Sequence, residues 1–98
     1  MDVSCRQDGN TYTIALDGWL DTSTASQLAD ALAAMPGDVS LLVLDLASLE
    51  YISSAGLRQL AAAHKQMKGN LKVVNVSPEI MAILHMAGFD RRIDVTGA

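Results

Sequence analysis

The chain has 98 residues, half of them apolar, with a formal charge of -4 and a pI near 4.8. This is the size of one domain, expected to span residues 1–98, with enough apolar sequence for a core and no compositional sign of disorder. The acidic balance argues against nucleic acid, because no basic stripe is present to displace counterions from a phosphate backbone, and against an anionic membrane surface.

The clustered cations Arg91 and Arg92 are flanked by Asp90 and Asp94. Cys5 is the single cysteine, so no internal disulfide can form and no zinc ligand set can be assembled. A reducing compartment, the cytoplasm, is expected. Met1-Asp2-Val3-Ser4 has neither the charged nor the apolar region of a signal peptide. The apolar runs are too short to span a membrane, so no membrane insertion is expected.

Val3 and Cys5 alternate with polar residues and predict a short half-buried strand. Asp8-Gly9-Asn10 is a turn signal, and Tyr12, Ile14 and Leu16 alternate again. The two runs predict a β-hairpin, with Gly18 at its far end. Thr22, Ser23 and Thr24 offer capping oxygens, and Thr24 with Gln27 has capping-box spacing. Ala25, Leu28, Ala29, Leu32 and Met35 then follow at helical spacing until Pro36-Gly37.

Leu41 to Leu46 reads LLVLDL, which predicts a central parallel strand buried on both faces. Past Ser53-Ser54, a second helix carries Leu57, Leu60, Ala61 and His64 or Met67 on one stripe, and Gly69-Asn70 closes it. Leu71 to Val76 is the next strand. Ser77-Pro78 opens a third helix, with Ser77 as cap and Pro78 in the first turn. Ile80, Ile83, Leu84 and Ala87 form its buried stripe and Gly88 ends it. Ile93 and Val95 suggest a last edge strand.

The predicted order is β-β-α-β-α-β-α-(β). It defines an α/β fold with a mixed, mostly parallel sheet of four or five strands, an N-terminal antiparallel hairpin and at least three helices.

The segment Leu49-Glu50-Tyr51-Ile52-Ser53-Ser54-Ala55-Gly56-Leu57-Arg58 joins a buried strand to a helix. Such junctions lie at the carboxyl edge of parallel strands, where open α/β sheets bind their targets. The first helical turn leaves N–H groups unpaired and carries the positive end of the helix dipole. A phosphate on Ser54, with Arg58 one turn on, is therefore tolerated locally. Its charge of roughly -1.5 to -2 would act against an apposed acidic partner rather than against the fold. Serines at a helix start are most often caps, and one of the two serines can be a cap while the other is a target.

Tyr51-Ile52-Ser53-Ser54-Ala55-Gly56-Leu57 resembles the signature of the STAS-domain anti-sigma-factor antagonists. Leu16-Asp17-Gly18-Trp19-Leu20-Asp21 with Thr24-Ala25 resembles that family's Gly-x-Leu-Asp-x-x-Thr-Ala segment. Asn75-Val76-Ser77-Pro78, with Ile83-Leu84 and Ala87-Gly88-Phe89, resembles its closing strand and helix.

The resemblance implies partner switching. The unphosphorylated antagonist binds a serine kinase that doubles as an anti-sigma factor, and this frees the sigma factor. Phosphorylation from ATP releases the antagonist, and a metal-dependent serine phosphatase reverses the mark. The implied acceptor is Ser54, two residues before the glycine, with Ser53 as the alternative. The implied partner-binding residues are Asp21, Thr22, Ser53, Ser54, Ala55, Gly56 and Arg58. No cofactor and no metal are implied. Ser53 stands where many members carry aspartate, and Ala55 where many carry a second serine or threonine. The first change removes a carboxylate and leaves a second hydroxyl beside the acceptor.

Asp21 also reads as a helix-start carboxylate, and Trp19 either as a binding anchor or as a partly buried packing residue. His64 and His85 lack metal-ligand spacing, and His64 is expected to line a helix face. Met81 and Met86 read as gap-fillers and Cys5 as a small strand residue. No Gly-x-Ser-x-Gly elbow or Gly-x-x-x-x-Gly-Lys loop is present, so an enzyme is not expected. A STAS-like subunit of a transporter assembly, never phosphorylated, is the alternative to the phospho-switch.

Overall fold

A computed structural model describes all residues from Met1 to Ala98. Strands β1 (Asp2–Asp8) and β2 (Thr11–Leu20) form the predicted hairpin, followed by α1 (Ala25–Ala33), β3 (Leu41–Ile52) and α2 (Ser54–Gln66). β4 (Leu71–Val76), α3 (Pro78–Met86), a 3-10 turn at Phe89–Arg91 and β5 (Asp94–Gly97) complete the chain. The sheet has five strands in the order β1-β2-β3-β4-β5, with β1 antiparallel to β2 and the others parallel.

The monotonic strand order has a consequence. Right-handed crossovers that always step in one direction place every helix on the same face of the sheet. Burial agrees. Ile14 and Leu16 of β2, Leu42, Leu44 and Leu46 of β3, and Leu71 and Val73 of β4 are sealed under the helices. The opposite face, with Thr13, Ala15, Val43 and Asp45, is only half-buried. The expectation that LLVLDL is buried on both faces is therefore corrected. β3 is central and parallel, but its run alternates between a helix-covered face and an open one.

From the helices, Ala25, Leu28 and Leu32 of α1, Leu60 and Ala63 of α2, and Ile80 and Leu84 of α3 complete the core. The stripe of α2 differs from the predicted one. Gly56, Leu60 and Ala63 are buried, Leu57 and Met67 pack partly against the core, and Ala61 is exposed. A run of three alanines at Ala61–Ala63 gives the sequence pattern no means of choosing between neighbouring faces. At α3 the Ser77 hydroxyl accepts the Ile80 N–H at 3.3 Å, with Pro78 in the first turn as predicted. Met81 is half-buried against the core, but Met86 is 86% exposed and fills no gap.

Two irregularities shape the carboxyl end of β2 and β3. Register shifts between Ala15 and Asp17 and between Gly18 and Trp19 each give β3 one extra residue. Bulges of this kind re-aim the side chains that follow them. Gly18, at φ +111, supplies the backbone conformation that the second shift needs. Beyond the bulges Trp19 pairs with Tyr51 and Leu20 with Ile52. This turns both aromatic rings outward and both aliphatic side chains into the core. No helix is long and apolar enough to cross a membrane.

Candidate functional site

The ends of β2 and β3 lie side by side, and the Ser53 N–H donates to the Leu20 carbonyl at 2.9 Å. This bond brings the start of α2 next to the turn that leads into α1. The two serines separate into different roles here. Ser53 has extended backbone (φ -96, ψ 176), and its hydroxyl accepts the Gly56 N–H at 3.3 Å, which makes it the cap of α2. Ser54 is the first helical residue, is exposed, and makes no side-chain hydrogen bond. Its hydroxyl stands at the positive end of the helix dipole, where a negative group is favoured. Arg58 is exposed one turn on, at the spacing that puts two side chains on one helix face.

Two substitutions separate these roles. Ser53→Ala removes the cap and is expected to cost about 1 kcal/mol. Ser54→Ala is expected to stay within about 0.5 kcal/mol of the parent. Urea unfolding of the two variants measures both, and a reversed order would mean that Ser54 carries the cap.

Gly56 is fixed by space. A Cβ built on it lies 2.8 Å from side-chain carbons of both Ile52 and Leu20 and 3.0 Å from the Leu20 carbonyl oxygen. The first turn of α2 therefore sits directly on the strand ends. Gly56, expected among the partner-binding residues, is buried against the strand ends.

Asp21 organises the neighbouring turn. Its Oδ1 accepts the Ser23 hydroxyl at 2.7 Å, the Ser23 N–H at 3.0 Å and the Thr24 N–H at 3.1 Å. The Thr24 hydroxyl is 3.1 Å from the same oxygen and 2.7 Å from the Trp19 carbonyl, and it accepts the Asp21 N–H at 2.9 Å. The predicted capping box of Thr24 and Gln27 does not form, because the Thr24 hydroxyl turns back to this network and caps nothing on α1. Asp21 thus organises the turn that precedes α1, not the first turn of the helix, which holds no acidic residue. The bond from the Ser23 hydroxyl, with those from Thr24, holds its carboxyl below the usual aspartate value of 3.8.

A group whose folded pKa is depressed stabilises the fold above its unfolded pKa, and that contribution is lost as pH falls through the folded value. Acid titration followed by the Ser23 and Thr24 amide resonances is expected to give an Asp21 midpoint below 3.8. Asp21→Asn should remove the corresponding loss of stability in acid. A normal midpoint would show that the network does not hold in solution.

Between these turns stands an aromatic pair that sequence reasoning placed only in part. Trp19 is 54% exposed and Tyr51 is 42% exposed. Their ring centroids are 5.2 Å apart at 44°, and the Trp19 indole N–H donates to Glu50 at 3.3 Å. Trp19 packs on Tyr51 with about half of its surface open, which accords with both of its readings. The signal for the pair was Gly18 at a strand end, but the bulge that aligns Tyr51 with Trp19 leaves no pattern of its own. Asp21 is half-buried, Thr22 exposed and Ala55 half-buried, and each lies within two residues of the bond between Ser53 and Leu20. Cys5 is exposed on the edge strand β1, away from these residues.

A capped, hydroxyl-bearing helix mouth thus stands at the carboxyl edge of the sheet, where open α/β folds place their binding sites. A family model described as the Mlab STAS domain matches residues 3–96, and the chain belongs to the STAS domain family. BtrV of Bordetella bronchiseptica, described as an anti-sigma factor antagonist, is 36% identical over 78 residues, which are 76% of this chain and 67% of BtrV. The anti-sigma-F factor antagonist RsfB of Mycobacterium tuberculosis is 30% identical over 92 residues, 91% of this chain and 75% of RsfB. The crystal structure of an anti-sigma factor antagonist from Mycobacterium paratuberculosis superposes with a TM-score of 0.89 at 25% identity, covering 99% of this chain and 86% of that one.

Proposed function

We propose that this protein is an anti-sigma-factor antagonist that works as a phospho-switched binding module in the cytoplasm. Its unmodified form binds a serine kinase that also acts as an anti-sigma factor, and so frees the sigma factor. The kinase transfers the γ-phosphoryl group of ATP to the Ser54 Oγ, which gives up its proton, and ADP is formed. A metal-dependent serine phosphatase then hydrolyses the phosphoester with water and restores the hydroxyl.

The observation that carries this reading is the division of labour at the helix mouth. Ser53 is committed to the cap, while Ser54 is exposed beside it with no bond to break. A phosphate at the first helical residue meets unpaired N–H groups and a favourable dipole, so the domain keeps its fold when modified. The effect falls on docking. A partner surface that fits a neutral hydroxyl would have to desolvate a dianion with no counter-charge in place, which is strongly unfavourable. Asp21, Thr22, Ala55 and Arg58 frame the acceptor on the same edge and complete the docking surface. The relatives described as antagonists support the same reading.

The second reading, a STAS subunit of a transporter assembly that is never phosphorylated, draws on the serine that replaces the usual aspartate at Ser53. Co-expression distinguishes the two. The switch reading expects a discrete complex with the cognate anti-sigma kinase and displacement of its sigma factor. Failure to bind that kinase, together with stable assembly on a transporter ATPase, would establish the second reading instead.

A further inference from the structure

Charge in this chain is divided unequally. Residues 1–50 carry eight carboxylates and a single arginine, whereas residues 51–98 carry three carboxylates and six lysines and arginines. Because the strand order is monotonic, this division is also spatial. The β1–β3 side is acidic, and the side built from α2, β4, α3 and β5 is basic.

Within the basic side, a half-open cavity of about 230 Å³ lies between α2 and the 3-10 turn. It is lined by Ala61, His64, Lys65, Phe89, Arg92 and Ile93. Three of these side chains are apolar and three are nitrogen donors, and no carboxylate is among them. The one contact between a basic and an acidic side chain within 4.0 Å joins His85 to Asp90, so Lys65 and Arg92 have no carboxylate in that range.

We propose that this cavity binds a small organic anion, with an aryl or short branched body and one carboxylate or phosphate group. The body would lie against Phe89, Ile93 and Ala61. The anionic head would be held by Lys65 and Arg92, with a ring N–H of His64 as a further donor. Arg92 brings a planar donor fork suited to carboxylate or phosphate, and Lys65 a point charge.

The ordinary role of His64 and Lys65 is to offset the negative end of the α2 dipole. That role does not account for Arg92, which comes from a different element and closes the same cavity. Size narrows the ligand. Pockets for drug-sized molecules run from about 300 to 1,000 Å³, so this one suits a fragment of roughly ten heavy atoms, not a nucleotide. His64 and Lys65 are at the far end of α2 from Ser54, so the site stands or falls independently of the phospho-switch.

Titration of the isotope-labelled protein with phenyl phosphate and with benzoate, read by amide shifts, tests the proposal. Saturable shifts confined to Ala61, His64, Lys65, Phe89, Arg92 and Ile93 are expected, with a dissociation constant on the order of a millimolar. Inorganic phosphate and benzyl alcohol, each lacking one half of the ligand, should bind at least roughly fivefold more weakly. The double variant K65Q/R92Q should lose roughly tenfold in affinity, whereas R6Q/K72Q, with the same change of charge elsewhere, should lose none. Shifts that do not saturate, that spread equally over all exposed cations, or that survive K65Q/R92Q would overturn the proposal.

Discussion

Gly56→Val is expected to destabilise the domain more than any other single change at the docking edge, by about 3 kcal/mol or more. The reason is contact with backbone as well as side chains. The added Cβ would stand 3.0 Å from the Leu20 carbonyl oxygen, which already accepts the Ser53 N–H, and 2.8 Å from carbons of Leu20 and Ile52. Leu20 and Ile52 are core residues, 0% and 2% exposed, so neither can swing into solvent to make room.

Gly56→Ala tests the same contact more mildly. In an open helix the change would gain about 1 kcal/mol of helix propensity. Here overpacking of about 1–3 kcal/mol is expected to outweigh that gain. Denaturant unfolding with an unchanged slope measures both variants, and a more stable Gly56→Ala protein would show that α2 sits farther from the strands than described. Loss of partner binding in either variant is expected to follow from displacement of α2, because Gly56 itself is buried.

The second large effect is functional. Ser54→Asp is expected to leave the unfolding midpoint almost unchanged, since a carboxylate in the first helical turn is favoured by the dipole. Its affinity for the anti-sigma kinase should nevertheless fall by about 3 kcal/mol, on the order of a hundredfold, because an unpaired charge must be buried beneath the partner. Ser54→Ala should bind as the parent does. Calorimetry with the three proteins separates a docking switch from a folding switch. Equal affinity of Ser54→Asp and the parent would remove the switch, and a matching loss of stability would relocate it to the fold.

Much of the fold could be read from the chain because local signals and tertiary environment agree. The two-residue turn at Gly9-Asn10, the Ser77-Pro78 start of α3 and the Gly88 stop are each set by backbone chemistry within a few residues. The nearly continuous apolar run from Leu41 to Leu46 placed β3 at the centre of the sheet. Its second face was misread, because an apolar residue such as Val43 is compatible with a covered face or an open one. The direction of the crossovers decides which, and that is a property of the whole topology.

The docking edge was legible to a different degree. The junction at Ser53-Ser54 could be placed from sequence, but which hydroxyl caps the helix depends on backbone dihedrals that two adjacent serines do not reveal. Thr24 illustrates the competing effect. Its spacing to Gln27 suits a capping box, yet the carboxylate of Asp21 and the Trp19 carbonyl offer its hydroxyl nearer partners. The outward pairing of Trp19 with Tyr51 depends on two extra residues in β3. A bulge is defined by the partner strand, so neither strand alone announces it.

The proposed switch depends above all on which oxygen at the mouth of α2 receives the phosphoryl group. Incubation of the protein with its cognate kinase and ATP, followed by peptide mapping, tests this directly. A single phosphate on Ser54, absent from Ser54→Ala and retained in Ser53→Ala, is the predicted result. Phosphate on Ser53, or labelling undiminished in Ser54→Ala, would contradict it.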